Sequence, residues 1–130
     1  MKKKSLTSVL TILFLFVAVS AMSTEKPTKK SPEQMPDNVK AIIDKSCFGC
    51  HNTNSKNEDA KESLDFKKMT GLSDIKKISA YKNIGETVGD NDMPPKRFLK
   101  KYPDKALTDK EKQELIAWAK KEAEAIVKSK

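Results

Sequence analysis

Apolar residues recur at three- and four-residue steps along most of the chain, and nowhere do they alternate as a strand would. After Pro36, Val39, Ile42 and Ile43 mark one face of a first helix, with Asp37 or Asn38 as its natural N-cap. Residues 52–63 have no apolar period and read as a loop. Leu64, Phe66, Met69 and Leu72 fit a turn or short helix that Gly71 interrupts. Ser73 opens a better helix with Ile75, Ile78, Tyr81, Ile84 and Val88 on its stripe; Gly85 weakens it and Gly89 ends it. Residues 89–95 form a turn-rich loop. Thr108 and Glu111 make a capping box for a last helix carrying Leu115, Trp118, Ala119, Ala123 and Ile126. The fold class is all-α, about four short helices with no internal repeat.

The two ends of the chain differ. Lys2, Lys3 and Lys4 precede an apolar run from Leu6 to Val19, and Val19-Ser20-Ala21 resembles a cleavage site. Residues 1–21 therefore read as a secretory signal peptide, processed after Ala21. The run is short for a membrane span, so a membrane association is expected only if this segment is retained. Residues 22–36, polar and proline-punctuated, read as a disordered tether, leaving 37–130 as one small domain. Loss of the three leader lysines lowers the formal charge from +8 to +5. The remaining lysines are interleaved with acids, the pattern of a solvated face and not of a nucleic-acid binder.

Both cysteines and the only histidine lie within five residues, Cys47-Phe48-Gly49-Cys50-His51. Cys-x-x-Cys-His is the attachment pattern of a c-type haem. Each thiol can add to one vinyl group of the ring, and the adjacent histidine can bind the iron as proximal ligand. A thioredoxin-type pair would need a strand–helix context that is missing here. A closed zinc site would need about four ligands, one more than this motif supplies. A plain disulfide would leave His51 without a role. An oxidising, exported compartment suits covalent attachment, so the leader and the motif point the same way. Few aromatics are available for a protein core, and a buried porphyrin with two thioether staples would make up the deficit.

With one histidine, the second axial position falls to methionine, lysine, water or nothing. Met93 lies on the loop before Pro94 and Pro95, whose fixed φ angles stiffen it. It is the leading candidate. Met69 sits in an apolar rhythm, where a core methionine is the default. Arg97, the sole arginine, stands four residues past Met93 and can pair with a haem propionate, against the plainer reading of a solvated arginine. Phe98 and Leu99 are expected to line the crevice or pack beneath the loop, and Trp118 to pack the last helix on the first.

Cys47-x-x-Cys50-His51, Asp92-Met93-Pro94-Pro95, Tyr102-Pro103, Leu107-Thr108, Glu111-Lys112 and Trp118-Ala119 together resemble the haem-binding-domain family of small exported bacterial monohaem c-type cytochromes. The resemblance covers roughly residues 37–125. It implies a cytochrome-c-like bundle around one covalent haem c, with Cys47 and Cys50 as attachment points, His51 proximal and Met93 distal. The leader points to the periplasm, and an iron held by both His51 and Met93, with no free site, points to a monomeric electron carrier that meets redox partner proteins. The alternatives are a gas or redox sensor, a peroxidase-like enzyme with a displaceable distal ligand, or a haem module of a larger complex. In one respect the chain departs from the pattern. In many cytochromes c a proline carbonyl after the motif accepts the second N–H of the proximal histidine, and no proline lies between His51 and Pro94.

Overall fold

The computed structural model describes residues 35–130, so the leader and all but the last two residues of the expected tether lie outside the described residues. Five α-helices follow in order: α1 (Asp37–Ser46), α2 (Glu58–Ser63), α3 (Asp74–Gly89), α4 (Lys96–Lys101) and α5 (Asp109–Lys128). Two 3-10 turns, Met69–Gly71 and Pro103–Lys105, complete the set, and the described residues contain no strand. None of the described helices is long and apolar enough to cross a membrane.

α3 and α5 form the frame, packed on each other, with α1 packed on α5. α5, at 20 residues, spans about 30 Å. α1 buries Val39, Ile42, Ile43 and Ser46, one face at helical spacing. These meet Ile84 and Val88 of α3 and Leu115, Trp118 and Ala119 of α5 in a single core. Trp118 packs edge-on against Tyr81 of α3, ring centroids 5.3 Å apart, so its aromatic partner is on the third helix and not the first.

The expected helices α1, α3 and α5 form, and two short ones were not legible from apolar period. The loop expected over 52–63 contains α2. Its start is set by chemistry: the Asn57 side chain accepts the Ala60 N–H at 3.1 Å, and Glu58 and Asp59 favour the first turn. α2 buries no residue, which is why periodicity could not reveal it. The segment after Leu64 forms only the 3-10 turn at Met69–Gly71. Ile75, placed on the buried stripe by spacing, is 78% exposed because α3 turns its first turn away from the core. Pro36, one residue before the expected caps, occupies the N-cap position of α1.

Thr108 caps α5 as the sequence predicts, and Glu111 closes the box by accepting the Thr108 N–H at 2.8 Å. The same carboxylate receives Lys45 Nζ at 2.6 and 2.7 Å, and Lys45 also donates to the Ala106 carbonyl at 3.1 Å. One residue thus ties the end of α1, where the cysteine motif begins, to the start of α5. The bonds from Lys45 and from the Thr108 backbone hold the Glu111 carboxyl below its ordinary value. A carboxyl depressed in the folded state adds stability above its unfolded pKa, which is lost as pH falls through the folded value. Glu111→Gln is therefore expected to lose about 1–2 kcal/mol at pH 7, the combined scale of a cap and a partly buried ion pair. Thermal unfolding should show the gap between variant and wild type closing as pH falls below the ordinary glutamate range; a gap that persists in strong acid would contradict the assignment.

Candidate haem crevice

α1 ends where the motif starts. Cys47 occupies its C-cap, and the Cys47 and Phe48 N–H groups both donate to the Ile43 carbonyl at 2.8 Å. The Cys47 carbonyl then accepts the Cys50 and His51 N–H groups, each at 3.1 Å. The motif is thus a tight turn that carries both thiols and the imidazole to one end of the α1 face. The two cysteines are free thiols, both partly buried. Burial, with a smaller contribution from neighbouring Cys50, pushes the Cys47 thiol up to about 11 against the pull of Lys45, so at neutral pH it stays protonated.

The chain leaving the motif is pinned by polar side chains. Asn52 donates to the Phe48 carbonyl and accepts the Asn54 N–H, and Thr53 donates to Asp65 at 2.6 Å. The Asp65 side chain is nearly buried. Burial pushes its carboxyl up, but the Thr53 hydroxyl, the Lys67 N–H and the charge of Lys68 outweigh that and hold it below the usual range. The His51 carbonyl accepts the Phe66 N–H at 3.2 Å, and the Phe66 ring stands edge-on to the imidazole, centroids 6.4 Å apart.

These contacts bring α2 against His51, and α2 supplies the acceptor that the missing proline does not. His51 Nδ1 lies 2.9 Å from the Ala60 carbonyl and 3.1 Å from the Leu64 carbonyl. Two acceptors at Nδ1 select the tautomer with hydrogen there and leave the Nε2 lone pair for a metal. Both carbonyls belong to α2 and its C-cap, where the helix dipole is negative; the Ala60 oxygen also accepts the Leu64 N–H at 3.0 Å and uses its second lone pair for the imidazole.

Met93 is brought to the same place from the other side of the sequence. At the end of α3 the Thr87 carbonyl accepts the N–H groups of Asp92 and Met93 at 2.9 and 3.1 Å. Asn91 adopts a left-handed φ of 61°, a conformation asparagine tolerates better than most residues, and reverses the chain. The Met93–Pro94 peptide is cis, and Pro95 leads into α4.

Two adjoining cavities, of about 80 and 120 Å³, share Cys47, His51, Val88 and Met93. The first is walled by Ile43, Leu64, Phe66, Ile84 and Leu115. The second reaches Cys50, Pro94, Pro95, Phe98 and Leu107. Both thiols, the imidazole and the thioether therefore open on one apolar crevice. Met69 is buried and lines neither cavity, in keeping with its reading as a core residue. Phe98 lines the crevice, as one of the two expected arrangements has it. Arg97 projects from exposed α4 and is not among the crevice residues.

The residues present fit a haem. The donor set is two thiols, one imidazole with its second nitrogen already engaged, and one soft thioether, with apolar walls between. Ser46 adds an independent sign. It continues the buried face of α1 and lines the second cavity, yet its hydroxyl has no hydrogen-bond partner among the described residues. A buried orphan hydroxyl costs about 1–3 kcal/mol, which a polar atom of a bound group in the crevice would offset.

No curated protein and no solved structure matches the chain. The family model described as the haem-binding domain matches residues 54–121, from the third residue after His51 to the middle of α5. The match takes in α2, the Met93 loop and the capped start of α5, and it leaves Cys47, Cys50 and His51 just outside. It spans just over half of the 130 residues, and the chain belongs to the haem-binding-domain family.

Proposed function

We propose that the protein is an exported monohaem c-type cytochrome that carries single electrons between redox partner proteins. The observation that carries this reading is the shared crevice: Cys47, Cys50 and His51, just before the matched segment, and Met93, within it, line one apolar space. When bound there, haem supplies an iron centre that gains or loses one electron.

The chain's own groups divide the remaining work. Cys47 and Cys50 would hold the ring through thioether bonds. His51 would face the iron through Nε2 while Ala60 and Leu64 keep its ring from rotating. Met93 would offer its thioether to the iron and favour the ferrous state. A site filled on both sides leaves no place for a substrate, and the described residues offer no second histidine to act as a distal acid or base. The leader at residues 1–21 supports export to the periplasm, after which the mature chain begins at Met22.

Potentiometric titration of the purified exported protein tests this reading. One reversible one-electron wave per chain is expected, from a polypeptide whose mass starts at Met22 and includes one haem. A chain that takes up no haem on export, or whose iron does not cycle reversibly, would overturn it.

A further inference from the structure

The largest cavity among those described does not belong to the crevice. It has a volume of about 320 Å³ and lies between the Met69–Gly71 turn, α3 and α5. Its apolar wall is built from Phe66, Met69, Tyr81, Trp118 and Ile126. That volume and an aromatic lining are those of a small-molecule site, toward the low end of the usual range of about 300–1,000 Å³.

Five polar side chains line this space without a hydrogen bond or ion pair among the described residues: Thr70, Lys77, Tyr81, Trp118 and Glu122. Tyr81, Trp118 and Glu122 offer a hydroxyl, an indole N–H and a carboxylate. Asp74, the other carboxylate at the rim, is already satisfied by Lys130 at 2.7 Å. Burial raises the Glu122 carboxyl against the pull of Lys121, and burial, with a smaller contribution from the Glu122 charge, raises the Tyr81 phenol to about 12. An acceptor and two donors around flat aromatic walls suit a flat ring that carries oxygen atoms on its edge.

One residue connects this cavity to the crevice. Phe66 lines both, and its ring is the one that stands edge-on to His51. Phe66 is thus the side chain common to this cavity and to the surroundings of the His51 imidazole.

We infer that this cavity binds a small hydroquinone, held by Glu122, Tyr81 and Trp118, as an electron donor to the crevice. The inference rests on the electron-carrier reading for its redox step and on the cavity alone for binding. Oxidation of one hydroquinone to the quinone breaks two O–H bonds and releases two protons and two electrons. Two ferric molecules of this protein take one electron each. Glu122 accepts the first proton, and water takes the second.

Trp118 is the only tryptophan, so its indole N–H gives one resonance to follow. The reduced holoprotein is titrated without oxygen with 1,4-dihydroxynaphthalene, a state in which no electron can move. Wild type and the remote variant Lys120→Gln should show the same saturable shift of that resonance. Glu122→Gln should weaken binding about tenfold, the scale of one charge-assisted hydrogen bond, and Tyr81→Phe by a smaller factor. No saturable shift in wild type, or an unchanged midpoint in Glu122→Gln, would overturn the site. Mixed with ferric holoprotein, the hydroquinone should reduce two equivalents; bound hydroquinone that reduces none would overturn the donor assignment. Failure of the electron-carrier reading appears separately, as a preparation with no haem spectrum before any ligand is added, and the indole titration still decides the cavity.

Discussion

Exported with both cysteines replaced, Cys47→Ser and Cys50→Ser, the chain is expected to carry no covalent haem, against one per molecule for wild type. A serine hydroxyl does not form the thioether, and Cys47 and Cys50 are the only thiols of the chain. Intact mass after acid denaturation reads the outcome, because a thioether-linked ring stays with the polypeptide and a coordinated one is extracted. The family segment begins only after His51, so haem binding and covalent attachment are separable claims. The double variant is expected to retain weak, extractable haem through His51 and the crevice walls. Without the two staples and with a small protein core, its folded state should melt well below that of the loaded wild type. Covalent haem in the double variant would mean that the motif has been misread.

Met93→Ala is expected to open the iron on one side, whereas Met69→Ala leaves coordination unchanged and costs stability instead. The two methionines separate cleanly in the fold. Met93 lines both crevice cavities, and its N–H and that of Asp92 both donate to the Thr87 carbonyl. Met69 is buried beside the second, larger cavity. Truncating a buried methionine typically removes about 2–5 kcal/mol. Removing the thioether withdraws a ligand that favours ferrous iron, so the potential of Met93→Ala should fall while that of Met69→Ala stays near wild type. Absorption spectra of the two reduced variants, with and without an added gaseous ligand, check the contrast. A Met69→Ala protein that binds the gas while Met93→Ala does not would reverse the assignment.

Much of this was legible from residues that act locally. Cys47, Cys50 and His51 declare their chemistry by spacing, and Thr108 with Glu111 declares a helix start by capping. The long helices show in apolar period because each buries a face. What stayed hidden has no such face. α2 buries nothing, and its only local sign is Asn57 followed by two acids. α4 is a six-residue basic helix with no buried residue, started by Pro95. The acceptors for His51 are main-chain carbonyls of Ala60 and Leu64, and a carbonyl leaves no mark on residue identity. Ser46 is a middle case. Its position seven residues after Val39 continues the buried stripe, so its burial could have been read, whereas its lack of a partner could not.

The acceptor arrangement also bears on how the crevice is tuned. A proline carbonyl is a fixed feature of a loop. Here the same task falls to an exposed helix whose start depends on the Asn57 cap. The orientation of the imidazole is thereby coupled to the stability of α2, the least buried helix between the motif and the core.

Carbon monoxide added to the reduced wild-type holoprotein tests the central claim most directly. If His51 and Met93 fill both axial positions, the reduced spectrum should stay unchanged over minutes at a concentration of gas that converts Met93→Ala at once. Rapid and complete conversion of the wild type would contradict the electron-carrier account and favour a site built to bind small ligands.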